Sequence, residues 1–206
     1  MANTDGYYTM TEPAVMAHPA LHKPRAFKNN GKDVGEPKYG LSIVLDPKSP
    51  EWPAIKAHAA AVAKAAFGTV EGVKFPFKKG DTLADQRKAK GKEDGEFQRG
   101  KVVLAARSKF PPKLAGMENG RLVDYDTDEK IAASSRKFYF GAEVLALLNF
   151  FTTDIKGEKR VSVYVNAVMV TGKGTKLGGG ASAAETFSGY RGAISAEDPT
   201  DDEIPF

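Results

Sequence analysis

Arg136-Lys-Phe-Tyr-Phe-Gly-Ala-Glu-Val-Leu-Ala-Leu-Leu-Asn-Phe-Phe-Thr152 carries the clearest strand pattern in this 206-residue chain. Apolar residues occupy every second position from Phe138 to Phe150, and successive side chains of a strand point to opposite faces of a sheet. The stretch therefore predicts a long strand with one core-facing side, and Lys137 and Tyr139 lie on the opposite side. The predicted core side consists of Phe138, Phe140, Ala142, Val144, Ala146, Leu148 and Phe150.

A second alternating stretch runs from Arg160 to Thr171. The residues between the two stretches, 154–159, contain Gly157 and predict a hairpin. Tyr164 is expected to point outward. The residues expected to point inward are Val161, Val163, Val165, Ala167 and Met169.

Further strands are predicted earlier in the chain, at 38–45 and 101–110. Residues 9–21 are predicted to form an edge strand, because their prolines cannot donate to a ladder. In 38–45 one face holds Tyr39, Leu41, Ile43 and Leu45. In 101–110 one face holds Val102, Leu104, Ala106 and Phe110. The opposite face holds Lys101, Val103, Ala105, Arg107 and Lys109.

One helix is predicted over 50–67. Ser49 is a good N-cap, Pro50 suits the first helical position, and Gly68 is a natural stop. His58 is expected on the exposed face. The apolar stripe, whose tryptophan is expected to serve packing, is Trp52, Ile55, Ala59, Val62 and Ala66.

About five strands, one helix after the second strand and long basic loops predict a mainly β fold, a small, strongly curved barrel like an OB-fold. Other small barrels and a β-sandwich fit the same pattern. Residues 1–190 are expected to form this domain, and 191–206 a disordered acidic tail. The irregular stretches are predicted at 22–36, 69–99, 113–133 and 172–180.

The formal net charge of +4 hides an uneven distribution. Without the acids after Ser195, the body has 21 acids against 30 basic residues, a net charge of +9. A basic body indicates a polyanionic partner, most often nucleic acid, although solvated lysines alone would give the same count. The acids of the tail are Glu197, Asp198, Asp201, Asp202 and Glu203.

The chain has no cysteine, which excludes disulfides, thiol nucleophiles and thiolate metal sites and fits a reducing cytoplasm. Residues 1–8 lack the basic and apolar segments of a signal peptide. The longest apolar run, 144–151, is too short to span a bilayer. We therefore expect a cytoplasmic protein without a membrane partner.

Single-stranded nucleic acid is bound by a basic groove that follows the phosphates and by aromatic rings on which bases stack. Each single ring in this chain fits core packing equally well. Tyr139 and Tyr164 stand out because they alternate away from the apolar faces of adjacent strands, whereas Phe27 with Arg25 and Lys28 is a weaker candidate. The predicted binding residues are Lys74, Phe75, Phe77, Lys78, Lys79, Arg107, Lys109, Phe110, Lys137, Tyr139 and Tyr164.

Patterns of catalysis and metal binding are missing from the sequence. Residues 124–129 are acidic but lack the glycine and the distal glutamate of an EF-hand loop. His18, His22 and His58 form neither a metal triad nor a catalytic dyad in sequence. The glycines of 172–180 match no Walker or Rossmann pattern. We expect no enzymatic activity, no cofactor and no metal.

The segment Asp201-Asp-Glu-Ile-Pro-Phe206 joins acids to an apolar end. Acids are attracted to a basic surface and an aromatic ring fits an apolar pocket, so the segment is predicted to dock on partner proteins. A disordered terminus without a role is the alternative. The segment resembles the terminal hexapeptide of bacterial single-stranded DNA-binding proteins, from which it differs at one acid. The predicted partner-binding residues are Asp201, Asp202, Glu203, Ile204, Pro205 and Phe206.

Four stretches of the body carry a second resemblance: 17–24, 38–42, 139–144 and 177–187. They resemble a family of bacteriophage single-stranded DNA-binding proteins with an OB-fold. The resemblance implies sequence-independent binding that protects single strands in phage DNA replication, recombination and repair inside the infected bacterial cell. It also implies that the tail recruits phage or host replication and repair proteins.

Other functions fit the same sequence. One is a recombination protein that anneals strands, and another, from a different class, is a Mg²⁺-dependent nuclease using acids near Asp81 and Asp124. RNA is a further alternative partner. A protein distinguishes RNA from DNA by the 2′-hydroxyl, and no sequence feature indicates a contact with that group. Oligomeric state, site size, strand polarity and the identity of the tail's partner do not follow from the sequence.

Overall fold

The structure, a computed structural model, describes residues 6–29, 32–91 and 95–177, with backbone alone at 27–29 and 32–34. The predicted tail, 191–206, and its boundary lie outside the described residues. Within the described ranges no helix is long and apolar enough to cross a membrane. The elements are β1 (Tyr7–Thr9), β2 (Ala14–Asn29), β3 (Lys32–Leu45), α1 (Glu51–Phe67), β4 (Phe77–Lys79), α2 (Gly80–Lys88), a 3₁₀ helix (Glu96–Gln98), β5 (Val102–Ser108), β6 (Lys113–Glu118), β7 (Arg121–Tyr125), α3 (Asp128–Ser134), β8 (Ala142–Ile155) and β9 (Glu158–Gly174).

One curved sheet contains the nine strands of the described residues. Its order is β4-β5-β3-β2-β8-β9-β6-β7, with β1 paired to β8, and only β6 and β9 pair in parallel among these strands. Just before β4, the Lys74 N–H donates to the Lys159 carbonyl oxygen (2.9 Å), and the Val161 N–H donates to the Lys74 carbonyl oxygen (2.8 Å). The open sheet thus curls until β9 lies beside the edge formed by β4 and β5. The predicted mainly β, OB-like fold is confirmed, with more strands than the five expected.

The long strand predicted over 136–152 begins later, at Ala142. Gly141 has a φ of 104°, a conformation that suits glycine and ends an extended run. Phe138 is buried before the strand begins, whereas Phe140 joins a second cluster on the other face of the sheet, with Ala17, Val44 and Val103. The remaining predicted core positions are confirmed as buried: Ala142, Val144, Ala146, Leu148 and Phe150.

The predicted hairpin at 154–159 is confirmed. Ile155 pairs with Glu158, so the turn consists of Lys156 and Gly157. Both turn residues have positive φ, 54° and 81°, as a two-residue type I′ turn requires.

A bulge at Asn166 changes which residues of β9 face the core. Leu148 lies opposite Val165 and Leu147 lies opposite Ala167, so Asn166 is an extra residue in β9. One added residue reverses the alternation beyond it. The buried residues are Val161, Val163, Val165, Val168 and Val170, and the predicted inward positions Ala167 and Met169 are wrong.

Helix α1 matches its predicted bounds to within one residue. The Glu51 N–H donates to Ser49 Oγ (3.2 Å), and Gly68 ends the helix with a φ of 73°. The Trp52 ring meets the Phe77 ring edge-on at 5.0 Å, which confirms a packing role for the tryptophan.

The buried face of α1 differs from the predicted stripe at its end. Ala63 is buried and Ala66 is exposed. His58, predicted to be exposed, is half-buried, and its ring lies 5.2 Å from Tyr8 and 5.3 Å from Phe150. The short segment before β2 folds over this face of the helix, an event that helical periodicity alone does not reveal.

Glu51 anchors that segment to the helix. The residue is 2% exposed. Its carboxylate accepts hydrogen bonds from the Tyr8 hydroxyl (2.7 Å), the Thr11 N–H and hydroxyl (both 3.0 Å) and the Glu12 N–H (2.8 Å). The positive end of the helix dipole also favours an acid here. Burial, followed by the bond to Glu51, raises the pKa of Tyr8.

We expect Glu51→Ala to lower the free energy of unfolding by roughly 1.5–3 kcal/mol, the value of hydrogen bonds to a charged group. The substitution leaves the Thr11 and Glu12 N–H groups without their acceptor. Chemical denaturation measures the change. Glu71→Ala, at an exposed acid, should change the same quantity by less than about 0.5 kcal/mol, and equal effects of the two variants would contradict the anchoring role.

Three stretches predicted to be irregular contain regular elements. The described part of 22–36 extends β2 and β3, 69–99 contains β4, α2 and the 3₁₀ helix, and 113–133 contains β6, β7 and α3. These predictions were wrong because the strands are short or polar and show no clear apolar alternation. Tertiary pairing decides such segments more than local propensity does.

The strand predicted over 9–21 is internal rather than an edge, since β2 pairs with both β3 and β8. Its prolines are accommodated by irregularities. The register shifts between Ala17 and Ala20 and again between Ala20 and Arg25, and these gaps take up Pro19 and Pro24. A proline inside a sheet is tolerated at such bulges.

Candidate nucleic-acid interface

A depression of about 530 Å³ lies between β5 and β9 on the outer face of the sheet. The two strands approach each other here because the Lys74 bridge holds β9 near the β4–β5 edge. Ala105 and Arg107 of β5 alternate with buried neighbours, as do Ser162 and Tyr164 of β9, so these side chains point away from the core. Its basic and aromatic lining residues are Lys38, Lys74, Arg107, Arg160, Phe75, Phe151 and Tyr164.

Two further depressions continue the first. One, of about 360 Å³, shares Lys38 and Arg107 with it and extends over β2 and β3. The other, of about 290 Å³, shares Tyr164 and extends to Phe110. The three depressions together are called the groove. The basic and aromatic residues that the two extensions add are His18, Arg25, Tyr39, Lys109 and Phe110.

The groove is positively charged along its length. No Asp or Glu of the described chain lines any of its three parts. Such a concave surface of one sign concentrates a polyanion and leaves its phosphates without repulsion. The basic lining residues are Arg25, Lys38, Lys74, Arg107, Lys109 and Arg160.

Two glutamates at the margin form ion pairs with three of these cations. Glu158 pairs with Lys74 and with Arg160 (2.5 Å), and Glu36 pairs with Lys109 (3.1 Å). The hydrogen bond from Arg160, followed by that from Lys74, lowers the pKa of Glu158 to about 2. Glu158 therefore stays ionised at any pH near neutrality and remains an ion-pair partner of both cations.

Aromatic rings lie among these charges. The Phe151 and Tyr164 rings stack with centroids 4.1 Å apart and planes at 22°, and Tyr164 is 41% exposed. Phe110 is 77% exposed. Phe75 is half-buried and lies parallel to Phe77 at 6.3 Å. An exposed ring face beside cations is the arrangement on which unpaired bases stack.

The structure brings some of the predicted binding residues together and separates others. Phe77 packs beneath Trp52, and Lys78 and Lys79 are exposed on β4 without lining the groove. The predicted residues that meet in the groove are Lys74, Phe75, Arg107, Lys109, Phe110 and Tyr164.

Lys137 and Tyr139 also lie outside the groove. Lys137 pairs with Glu118 and donates to the Tyr125 hydroxyl (3.2 Å). The Tyr139 hydroxyl donates to the Gly174 carbonyl oxygen (3.0 Å). Because the strand starts after both residues, the alternation that was predicted to place them on the sheet beside Tyr164 does not apply.

Sequence reasoning missed Lys38, Phe151 and Arg160, and it set Arg25 aside as weaker. Phe151 carried a usable signal, since it is out of phase with the buried side of β8 and lies diagonally across the hairpin from Tyr164. The sequence contains no comparable signal for Lys38 and Arg160, because only the curl of the sheet brings β3 and β9 to one groove.

The described residues contain no group of three His, Asp or Glu side chains that could hold a metal ion. Asp81 accepts a hydrogen bond from the Gly100 N–H (3.0 Å), and Asp124 lies on β7, at the other end of the sheet from β4. His22 contacts Ser134 Oγ through Nε2 (3.2 Å), and burial lowers its pKa. The described acids suggested for a nuclease therefore belong to no group that could hold a metal ion.

The sequence of residues 9–203 matches a family model described as the ssDNA-binding protein of Enterobacter phage Enc34. The chain belongs to this family. Among curated proteins, no sequence matches the chain.

Solved structures of the Enc34 protein have the same fold. The protein alone aligns with a TM-score of 0.61 at 19% identity, over 87% of this chain and 88% of the other. Its complex with ssDNA aligns at 0.62 and 20%, over 84% and 90%. A C-terminal truncation aligns at 0.59 and 18%, over 81% and 86%. At such identities the likeness shows the fold of the family and does not transfer individual residues.

Proposed function

We propose that this chain is a phage single-stranded DNA-binding protein that binds without sequence preference and holds the strand in the groove. The observation that carries the proposal is the groove itself, with six basic side chains, exposed rings and no acid among its described lining residues. Membership of the Enc34 family supports the same conclusion.

The basic and the aromatic side chains of the groove have different roles in binding, which follow from their chemistry. Cations such as Lys38 and Arg107 neutralise phosphates, a contact that every sequence offers. Rings such as Tyr164 stack on bases, and every base has a ring face. In a duplex those faces are covered by neighbouring base pairs, so the aromatic contacts are reserved for single strands.

A titration of the full chain with oligo(dT), the matching duplex and a single-stranded RNA tests the proposal. At low salt we expect oligo(dT) to bind far more tightly than duplex, with an affinity that falls steeply as salt rises. Equal affinity for duplex would refute the assignment. Incubation with Mg²⁺ and a strand-annealing assay separate it from a nuclease and an annealing protein.

Neutralising the acid at the groove margin should strengthen binding. Glu158→Gln releases Lys74 and Arg160 from their carboxylate partner and makes both cations available to phosphates. We expect a several-fold higher affinity for oligo(dT) at low salt and a smaller gain at high salt. Glu129→Gln, at an exposed acid of α3, is the control. Weaker binding by Glu158→Gln would show instead that Glu158 positions the two cations for the strand.

We also propose that residues 1–190 bind DNA while 191–206 recruit replication, recombination and repair proteins of the phage or the infected cell. The acidic, apolar-ended sequence of 201–206 supports this division.

Phe206→Ala should abolish capture of host replication and repair proteins while leaving oligo(dT) affinity nearly unchanged. Deletion of 201–206 should preserve or raise that affinity, because it removes acids that compete with DNA for the basic body. Both variants are compared with the full chain by titration and by affinity capture from lysate. A large loss of DNA binding on deletion would contradict the proposed role.

A further inference from the structure

We propose that the part of the groove between Phe110 and Tyr164 is a pocket for one unstacked base, whose Watson–Crick edge donates a hydrogen bond to the side-chain oxygen of Asn166. This inference rests on the proposed function and deepens it. It assigns to one side chain the selection of unpaired over paired bases.

The two rings form the walls of this pocket. Phe110 is 77% exposed, yet its backbone is constrained, because its N–H donates to Ser108 Oγ (3.0 Å) and two prolines with fixed φ follow it. Tyr164 is backed on one face by Phe151 at 4.1 Å, which leaves its other face for a ligand. The pocket holds about 290 Å³, near the lower limit of ligand-sized sites, and so suits one base rather than a base pair.

Asn166 lines the same pocket and is the extra residue of the β9 bulge. Bulges commonly re-aim a side chain beside a functional site. The Asn166 side-chain oxygen is buried, and no group of the described residues donates a hydrogen bond to it. Such an atom is costly to leave unpaired. The last torsion of asparagine is soft, so the oxygen can turn to meet a donor that enters the pocket.

Unpaired bases supply that donor whatever their identity. Adenine, cytosine and guanine carry an amino group on the Watson–Crick edge, and thymine carries an imino N–H. In a duplex the opposite strand occupies the hydrogens on the Watson–Crick edge, and only the second amino hydrogens remain exposed, in the grooves. An acceptor that meets the Watson–Crick edge at Asn166 therefore fits a single-stranded base of any identity, whereas that edge is covered in a duplex, which gives strand selectivity without reading sequence.

The test compares oligo(dT) with a strand of the same length in which every thymine is N3-methylated. Methylation removes the imino donor and retains the ring and the phosphates. We expect the full chain to bind the methylated strand about fivefold more weakly, the effect of losing one hydrogen bond. Asn166→Ala should bind both strands equally, at the wild-type affinity for the methylated strand. Leu122→Ala, an exposed change on β7, should keep the wild-type preference.

A second variant tests the same pocket without changing Asn166, so the inference stays testable if Asn166→Ala disturbs the fold. Phe110→Ala removes an exposed ring outside the core, and it should weaken oligo(dT) binding about tenfold and remove most of the methylation effect. Wild-type binding by Phe110→Ala, or a methylation effect that persists in Asn166→Ala, overturns the inference. A full chain that binds oligo(dT) but ignores methylation also overturns it, whereas failure to bind oligo(dT) at all refutes the proposed function.

Discussion

Tyr164→Ala is expected to weaken oligo(dT) binding by roughly 5- to 150-fold, because the loss of one base-stacking ring costs roughly 1–3 kcal/mol. Tyr164 is shared by two of the three parts of the groove. Its removal also takes away the ring that stacks on Phe151. Fluorescence anisotropy with a labelled oligonucleotide at fixed salt measures the change.

Two controls isolate the ring as the cause. Tyr164→Phe retains the stacking face and should bind within about twofold of wild type, because stacking needs no hydroxyl. Leu122→Ala removes a side chain that is 62% exposed on β7 and should bind as wild type does. If Tyr164→Ala binds as tightly as these controls, the strand does not stack at this position.

The second large effect concerns charge. The double variant Lys38→Ala/Arg107→Ala removes the two cations shared by two parts of the groove. Each phosphate contact with a single strand contributes roughly 0.7 to the slope of log affinity against log salt. We therefore expect the slope to become shallower by roughly 1.4, with the greatest loss of affinity at low salt. Titrations at four or more salt concentrations give the slope.

A charge-matched double variant serves as the control. Lys78→Ala/Lys137→Ala removes two exposed cations that the sequence alone suggested and that do not line the groove. Lys137 is already paired with Glu118. We expect the salt slope of this variant to stay close to that of wild type. An equal loss of slope in the two double variants would mean that the phosphates follow a different path.

The parts of the fold that sequence predicts are those with local periodicity. The alternation after Ala142 and the turn at Lys156 and Gly157 specify the hairpin of β8 and β9, because each residue's environment repeats every second position. Local periodicity does not predict which residues of β9 face the core beyond Asn166. Ala167 and Val168 are both apolar, so either phase gives a buried side, and only the pairing with β8 decides between them.

The groove could be predicted only in part for a related reason. Arg107 and Tyr164 are distant in the chain, and the curl of the sheet alone places them on one depression. The sequence predicts Arg107 and Tyr164 as binding residues, each from its residue type. No local sequence pattern indicates that the two lie in one groove or that Lys38 lies beside them. Glu51 shows the same limit, because an acid at a helix start is expected in solvent until the segment around Thr11 covers it.

Photo-crosslinking tests the path of the strand most directly. Oligo(dT) carrying 5-iodouracil is bound to the full chain and irradiated, and the crosslinked peptides are mapped by mass spectrometry. The groove predicts crosslinks at Tyr164 and Phe110, with Phe75 as a further site. Crosslinks concentrated at Tyr139 or on the β6–β7 hairpin, with none at Tyr164 or Phe110, would contradict the groove as the binding site.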